Sequence, residues 1–180
     1  MSGLPGSGKS TIAHHLAPSL NGIVINHDLL KAFFLTTNHA FDASAKLAYD
    51  LDWVLAADLL KQGRSVIIDS VCNYTTLLEK GAEVAREWGA EYRFVECRVE
   101  DLEVLEKRLR ARVPMRSQRA GIDVPPLDAG VEQEGVVVDH REVLRGKLEN
   151  PVRPASGAII VDSSGSAEEC AEEILRQIGL

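Results

Sequence analysis

Hydrophobic positions along this chain recur with two alternating periods. From Lys9 onward, Ile12, Leu16 and Leu20 fall at helical spacing, and Pro18 with Asn21-Gly22 ends the run. GIVIN (22–26) is short, apolar and β-branched, which predicts a strand. It opens onto His27-Asp28, where Asp28 is placed to cap a helix through LLKAFFL (29–35). A longer amphipathic run from Asp42 to Gln62 carries Leu47, Leu51, Val54, Leu55 and Leu59, with Gly63 positioned to stop it. SVIID (65–69) predicts a buried strand ending on Asp69, and TTLLEKGAEVAREWG (75–89) a helix closed by Gly89. EYRFVEC (91–97) predicts another strand, and VEDLEVLEKRLRAR (99–112) a helix with acids early and bases late, as the macrodipole favours. GAIIVD (157–162) is the last strand, and SAEECAEEILRQIGL (166–180) the last helix, its Ser166 and Glu169 at capping-box spacing.

Strands separated by helices specify a parallel sheet covered on both faces, because each crossover needs a helix and is right-handed. The expected fold is therefore an α/β sandwich. Val113 to Gly135 breaks the pattern with prolines, glycines and little periodicity, over a length unusual for a connection. At 180 residues and 45% hydrophobic, the chain fits one domain, residues 1–180, with a substantial core.

Charge and cysteine content narrow the setting. A net charge of −7 argues against a surface built for broad nucleic-acid binding, which needs a positive field, but leaves room for a local anion site. Cys72, Cys97 and Cys170 are odd in number and far apart, so neither a disulfide framework nor a zinc site is expected. With no secretory signal pattern and no run of ~20 apolar residues, a soluble cytoplasmic protein without membrane partners is the expectation.

The chemistry is concentrated at the start of the chain. GLPGSGKS (3–10) matches G-x-x-x-x-G-K-[ST] at Gly3, Gly8, Lys9 and Ser10, with Pro5, Gly6 and Ser7 inside the turn. Glycines let successive backbone N–H groups converge on phosphate oxygens, and the following helix adds its positive end. The motif predicts that Lys9 reaches the β- and γ-phosphates of a bound nucleotide, that the Ser10 hydroxyl ligates Mg²⁺ and that Thr11 sits near the α-phosphate. Such a cradle ordinarily follows a central strand, of which Met1-Ser2 supply only the last residue or so. A start assigned too late is expected, since an unfilled slot leaves backbone groups unpaired at ~1–3 kcal/mol each when buried.

Together the cradle, INHDLLK (25–31), VIIDS (66–70), the RLRAR helix end (108–112) and VDSSG (161–165) resemble the compact P-loop kinases. These are AAA-domain-type P-loop ATP-binding proteins. The likeness is to the group holding the polynucleotide 5′-kinase domains, the zeta-toxin-like and chloramphenicol-phosphotransferase-like enzymes and gluconate kinase. The resemblance implies a three-layer P-loop NTPase sandwich whose first strand is largely missing from this chain. It also implies transfer of the γ-phosphate of ATP to a hydroxyl, with Asp28 as the base and Asp69 holding the Mg²⁺ shell or contacting the acceptor. Asp69 is three apolar residues beyond the strand's start, which delivers it to the cradle's edge of the sheet.

The same resemblance makes the segment at about 113–135 a lid. Of its basic run, Arg112 and Arg116 are the first choices for the moving phosphoryl group, then Arg108 and Arg119, while Lys107 and Arg110 suit a solvated helix face. Related sequences often carry Arg where this chain has Lys31, which keeps the charge but loses the planar fork. Net acidity and Lys31 both favour a small-molecule acceptor over a 5′-hydroxyl nucleic-acid end. A nucleotide-binding module with weak or no catalysis is the expectation from another class. Tyr49, Trp53 and Trp88 read as packing residues, with Trp53 also able to line an acceptor pocket.

Overall fold

The computed structural model describes residues 1–129 and 138–180. In chain order the elements are α1 (Lys9–Ser19), β1 (Gly22–Asn26), α2 (His27–Thr36), α3 (Phe41–Lys61), β2 (Ser65–Asp69) and α4 (Thr75–Glu87). They continue as β3 (Phe94–Arg98), α5 (Leu102–Ala111), α6 (His140–Glu149), β4 (Ala158–Asp162) and α7 (Ala167–Ile178). The alternation read from hydrophobic period is thus present, with strands and helices where the sequence places them. The third strand starts three residues later than EYRFVEC predicts, at Phe94, and extends to Arg98. Helix α6 was not anticipated; Asp139 caps it by accepting from the Glu142 N–H, and Leu144 and Leu148 form its buried face.

All strand pairing is parallel. β1 pairs with β2 from Gly22↔Ser65 to Asn26↔Asp69, and β3 pairs with β4 from Phe94↔Ala158 to Arg98↔Asp162. The two pairs do not hydrogen-bond to each other directly. Between them runs the start of the chain. Met1 N donates to the Ile68 carbonyl at 2.8 Å, Ser2 N to Val95 O at 2.7 Å, and Cys97 N to Ser2 O at 2.9 Å. Met1 and Ser2 therefore take the central position under the cradle, and the spatial order is β1, β2, Met1–Ser2, β3, β4.

Burial follows this layering. On one face α1 and α7 form the cover, joining Ile12, Leu16 and Ile174 to Ile67 of β2 and to Val95, Cys97 and Val161 of β3 and β4. Over β1 and β2, α3 and α4 enclose Ile25, Ala56 and Val84, and Trp53 packs against that cluster. A third cluster, Leu4, Val99, Leu105, Leu109, Ile122 and Leu144, fastens α5, α6 and the 113–129 segment to the cradle. That segment folds back through the Gly121↔Val124 bridge, and the part of the expected lid from 130 to 135 lies outside the described residues. Cys72, Cys97 and Cys170 are all free thiols. Among the described residues no helix is long and apolar enough to cross a membrane.

Candidate active site

The cradle is shaped by contacts only glycine permits. Gly3 has φ 143°, and a Cβ there would lie 2.4 Å from the Cys97 carbonyl, so the chain leaves the sheet pressed against β3. Gly6, at φ 86°, abuts α5, where a Cβ would sit 3.0 Å from the Leu105 carbonyl. Gly8 caps α1 without any side-chain bond, which leaves the first-turn N–H groups free of a cap. Helices α2, α3, α5, α6 and α7 each carry an acid in the first turn, whereas α4 carries none, and neither does α1. Its positive end is thus uncompensated, as an anion site requires. Lys9 is 8% exposed and makes no hydrogen bond or ion pair with a described residue. Ser7 is fully buried, and its hydroxyl also lacks a partner.

Two acids stand at the sheet edge beside this cradle. β1 and β2 end in register at Asn26↔Asp69, so Asp69 and the β1–α2 junction are neighbours. Asn26, rather than Asp28, caps α2, accepting from Leu29 N at 3.1 Å. Asp28 lies in the first helical turn instead, and its carboxylate is turned to the 113–129 segment. Gln118 Nε2 donates to its Oδ2 at 2.8 Å, and Ser117 Oγ to its backbone carbonyl at 2.7 Å. Asp69 is buried, with Oδ1 unpartnered among the described residues.

Behind these acids is a pair that the sequence reading did not single out. His27 Nδ1 and Asp52 Oδ2 are 2.7 Å apart, and Asp52 is fully buried. Tyr49 stacks on the His27 ring at 4.0 Å and donates its hydroxyl to Val71 O at 3.0 Å. Burial pushes the Asp52 carboxyl up, opposed by the bond and charge of His27. The Tyr49 phenol is likewise pushed up by burial and then by the Asp52 charge. The buried stripe of α3 is Ser44, Ala48, Asp52 and Ala56, so an acid on the core face was the available signal.

The arginines divide into distinct settings. Arg108 donates to Ser163 O and Ser164 O, both at 2.8 Å, and its Nη1 lies 3.7 Å from where a Gly8 Cβ would be. Arg112 is half-buried, donates to Arg119 O at 2.9 Å and has an unpartnered Nε. Burial draws its pKa down, and the Asp28 charge opposes this. Arg116 is exposed and clasps both oxygens of Asp128 at 2.9 and 2.7 Å. Arg119 donates to Ile122 O and faces His140 at 3.1 Å. Arg110 pairs with Glu106 at 2.7 Å on the outer face of α5. Lys31 is 9% exposed, its Nζ lying 3.3 Å over the Phe41 ring. Burial lowers its pKa, against the charges of Asp28 and Asp42.

A cavity of about 270 Å³ opens behind the first cradle residues, Ser2 to Leu4, between Val71–Tyr74 and Lys147–Val152. Neither Asp28 nor Asp69 lines it.

Comparison with known proteins bears on the fold. The Mycobacterium tuberculosis APS kinase, solved with AMPPNP and APS, superposes with a TM-score of 0.65 at 19% identity, covering 99% of this chain and 95% of that one. A protein described as a kinase from Chloroflexus aurantiacus gives 0.68 at 19% identity, over 98% and 92% of the two chains. A Sinorhizobium meliloti gluconokinase gives 0.61 at 18% identity, over 98% and 88%. At such identities the likeness is one of fold. No match was found among curated proteins. The profile of the AAA domain family matches residues 1–126, from the central residues through the cradle, both edge acids and Gln118. The chain belongs to that AAA domain family, and its fold is that of the compact P-loop kinases.

Proposed function

We propose that the protein is an ATP- and Mg²⁺-dependent phosphotransferase that moves the γ-phosphate of ATP to a hydroxyl of a small molecule. The carrying observation is Lys9: a largely buried lysine with no hydrogen-bond or ion-pair partner among the described residues, at the uncapped and acid-free start of α1. A cation so placed leaves its charge available to an anion held by the first-turn N–H groups. In this reading Gly3, Pro5, Gly6, Ser7, Gly8, Lys9, Ser10 and Thr11 hold the triphosphate. The orphaned Oδ1 of Asp69 and the Ser10 hydroxyl suit a hard cation, and no group of three or more His, Cys, Asp or Glu that could hold a metal occurs among the described residues. Mg²⁺ bound there would neutralise charge on the phosphates.

Asp28 accepts the proton of the attacking hydroxyl as its oxygen bonds to the γ-phosphorus and ADP leaves. Arg112 and Arg108 border this space, and Arg116 joins them on exchanging Asp128 for phosphate. The enclosed Lys31, covered by Phe41, offers no exposed cationic fork for a polynucleotide backbone, which supports a small acceptor. Labelled ATP presented with nucleosides, sugars, aminoglycoside- and phenicol-like alcohols and 5′-hydroxyl oligonucleotides tests the reading. Label should move to one small alcohol. Asp28→Asn should lower transfer at least ~100-fold while ATP affinity stays within about twofold. ADP release at equal rates with and without every acceptor would instead identify an NTPase.

A further inference from the structure

Resting on the reading of Asp28 as the base, we infer that Gln118 is a positioning residue that orients the Asp28 carboxylate and ties its orientation to docking of the lid. The side-chain amide of Gln118 is fixed at both ends. Its Oε1 accepts the Met115 N–H at 3.2 Å, so its Nε2 faces Asp28 and donates to Oδ2 at 2.8 Å. The polarity of the amide is thus set by the turn: reversing it would place an NH₂ against the Met115 N–H and an oxygen against a carboxylate. The adjacent Ser117, 6% exposed, donates to the Asp28 carbonyl at 2.7 Å. Two consecutive lid residues therefore grip one residue 89 and 90 positions earlier, by backbone and by side chain. With Oδ2 committed to Gln118, Oδ1 is the oxygen left for the acceptor hydroxyl.

The lid cannot make this grip without being seated. Met115 N–H to Gln118 and Gln118 N–H to the Met115 carbonyl, at 2.8 Å, close the turn that presents both side chains. Ile122 next to it is fully buried against Leu105, Leu109 and Leu144. A lid lifted from that cluster would carry Gln118 away and free the carboxylate to rotate. The base would then be correctly aimed only when the lid covers the phosphates, which restrains ATP hydrolysis by water.

An isosteric exchange separates positioning from packing. Gln118→Glu keeps the shape and the acceptor for Met115 N–H, but sets a carboxylate oxygen against Asp28. Gln118→Leu keeps bulk and removes the donor without adding charge. Positioning predicts that kcat falls about tenfold in Gln118→Leu and at least ~100-fold in Gln118→Glu, with the KM for ATP within about twofold and melting temperatures near wild type. A purely structural role predicts the opposite order, with the glutamate variant close to wild type, and that order would overturn the inference. If Gln118→Glu melts early, Gln118→Leu alone decides: kcat equal to wild type refutes positioning. Asp28→Asn run alongside distinguishes the two failures, because an active Asp28→Asn removes the base assignment, whereas an inactive Asp28→Asn with active Gln118 variants removes only the role of Gln118.

Discussion

At the residue scale, the site spends stability on buried charge. Lys31 is the clearest instance, enclosed between Phe41 and the acids at positions 28 and 42, with burial the largest influence on its ammonium. Its pKa in the folded chain lies below the ordinary 10.5, so the native state binds fewer protons than the unfolded state between those two values. The cost of holding it charged is therefore fully present below the folded pKa and fades as pH rises toward the unfolded one. Lys31→Met should accordingly melt a few degrees above wild type at pH 7, and the gap should close as pH approaches that of free lysine. Melting curves across this range check the sign. A variant that melts lower at pH 7 would mean that the ring contact and Asp28 outweigh desolvation. The legible part of the site is also a residue-scale matter. Of the candidate residues, Lys9, Asp28 and Asp69 are marked by a contiguous motif or by a strand end, whereas Gln118 and Asp52 make their contacts across 90 and 25 positions. No local period or spacing carries such a contact, although an acid in the apolar stripe of α3 marked Asp52 as unusual.

Elements matter here chiefly by what they press against the cradle. Helix α5 serves three tasks: its Leu105 and Leu109 are fully buried, its backbone meets Gly6, and its end delivers Arg108 to the cradle mouth. Leu105→Ala removes the central contact of that cluster and should cost ~2–5 kcal/mol of unfolding free energy, measured in urea. It should also weaken ATP binding, because Gly6 would lose its backing. Unchanged ATP affinity in a folded Leu105→Ala protein would show that the cradle holds its shape without α5. The order of helices and strands was readable because each covers the sheet with a regular apolar face. Helix α6 escaped notice because only Leu144 and Leu148 are buried on it, so its periodic signal is two residues long. Boundaries moved for a similar reason: pairing with β4 starts β3 at Phe94, and Asn26 takes the cap that an isolated reading assigns to Asp28.

On the scale of the whole molecule, the site straddles a seam. One half-sheet, β1 and β2, ends on Asp69 and leads through β1 into the α2 turn that holds Asp28; the other, β3 and β4, carries the wall of the cradle and the Ser163–Ser164 anchors of Arg108. Across the sheet itself the halves meet through Met1 and Ser2, while α1 spans them from above through Ile12 and Leu16. The geometry of the candidate site therefore depends on a few backbone bonds made by Ser2, which is 7% exposed. Ser2→Pro deletes the N–H donated to Val95 O and leaves a buried carbonyl unpaired, for a loss of ~1–3 kcal/mol. Ser2→Ala keeps both backbone bonds and should be close to neutral. The pair thus isolates the main-chain link from the side chain. Beyond stability, Ser2→Pro should weaken ATP binding several-fold, since Gly3 departs for the cradle directly from this link. If Ser2→Pro unfolds and binds ATP as Ser2→Ala does, then α1 alone holds the two halves in register, and the alignment of Asp28 with Lys9 rests on helix packing instead of on the sheet.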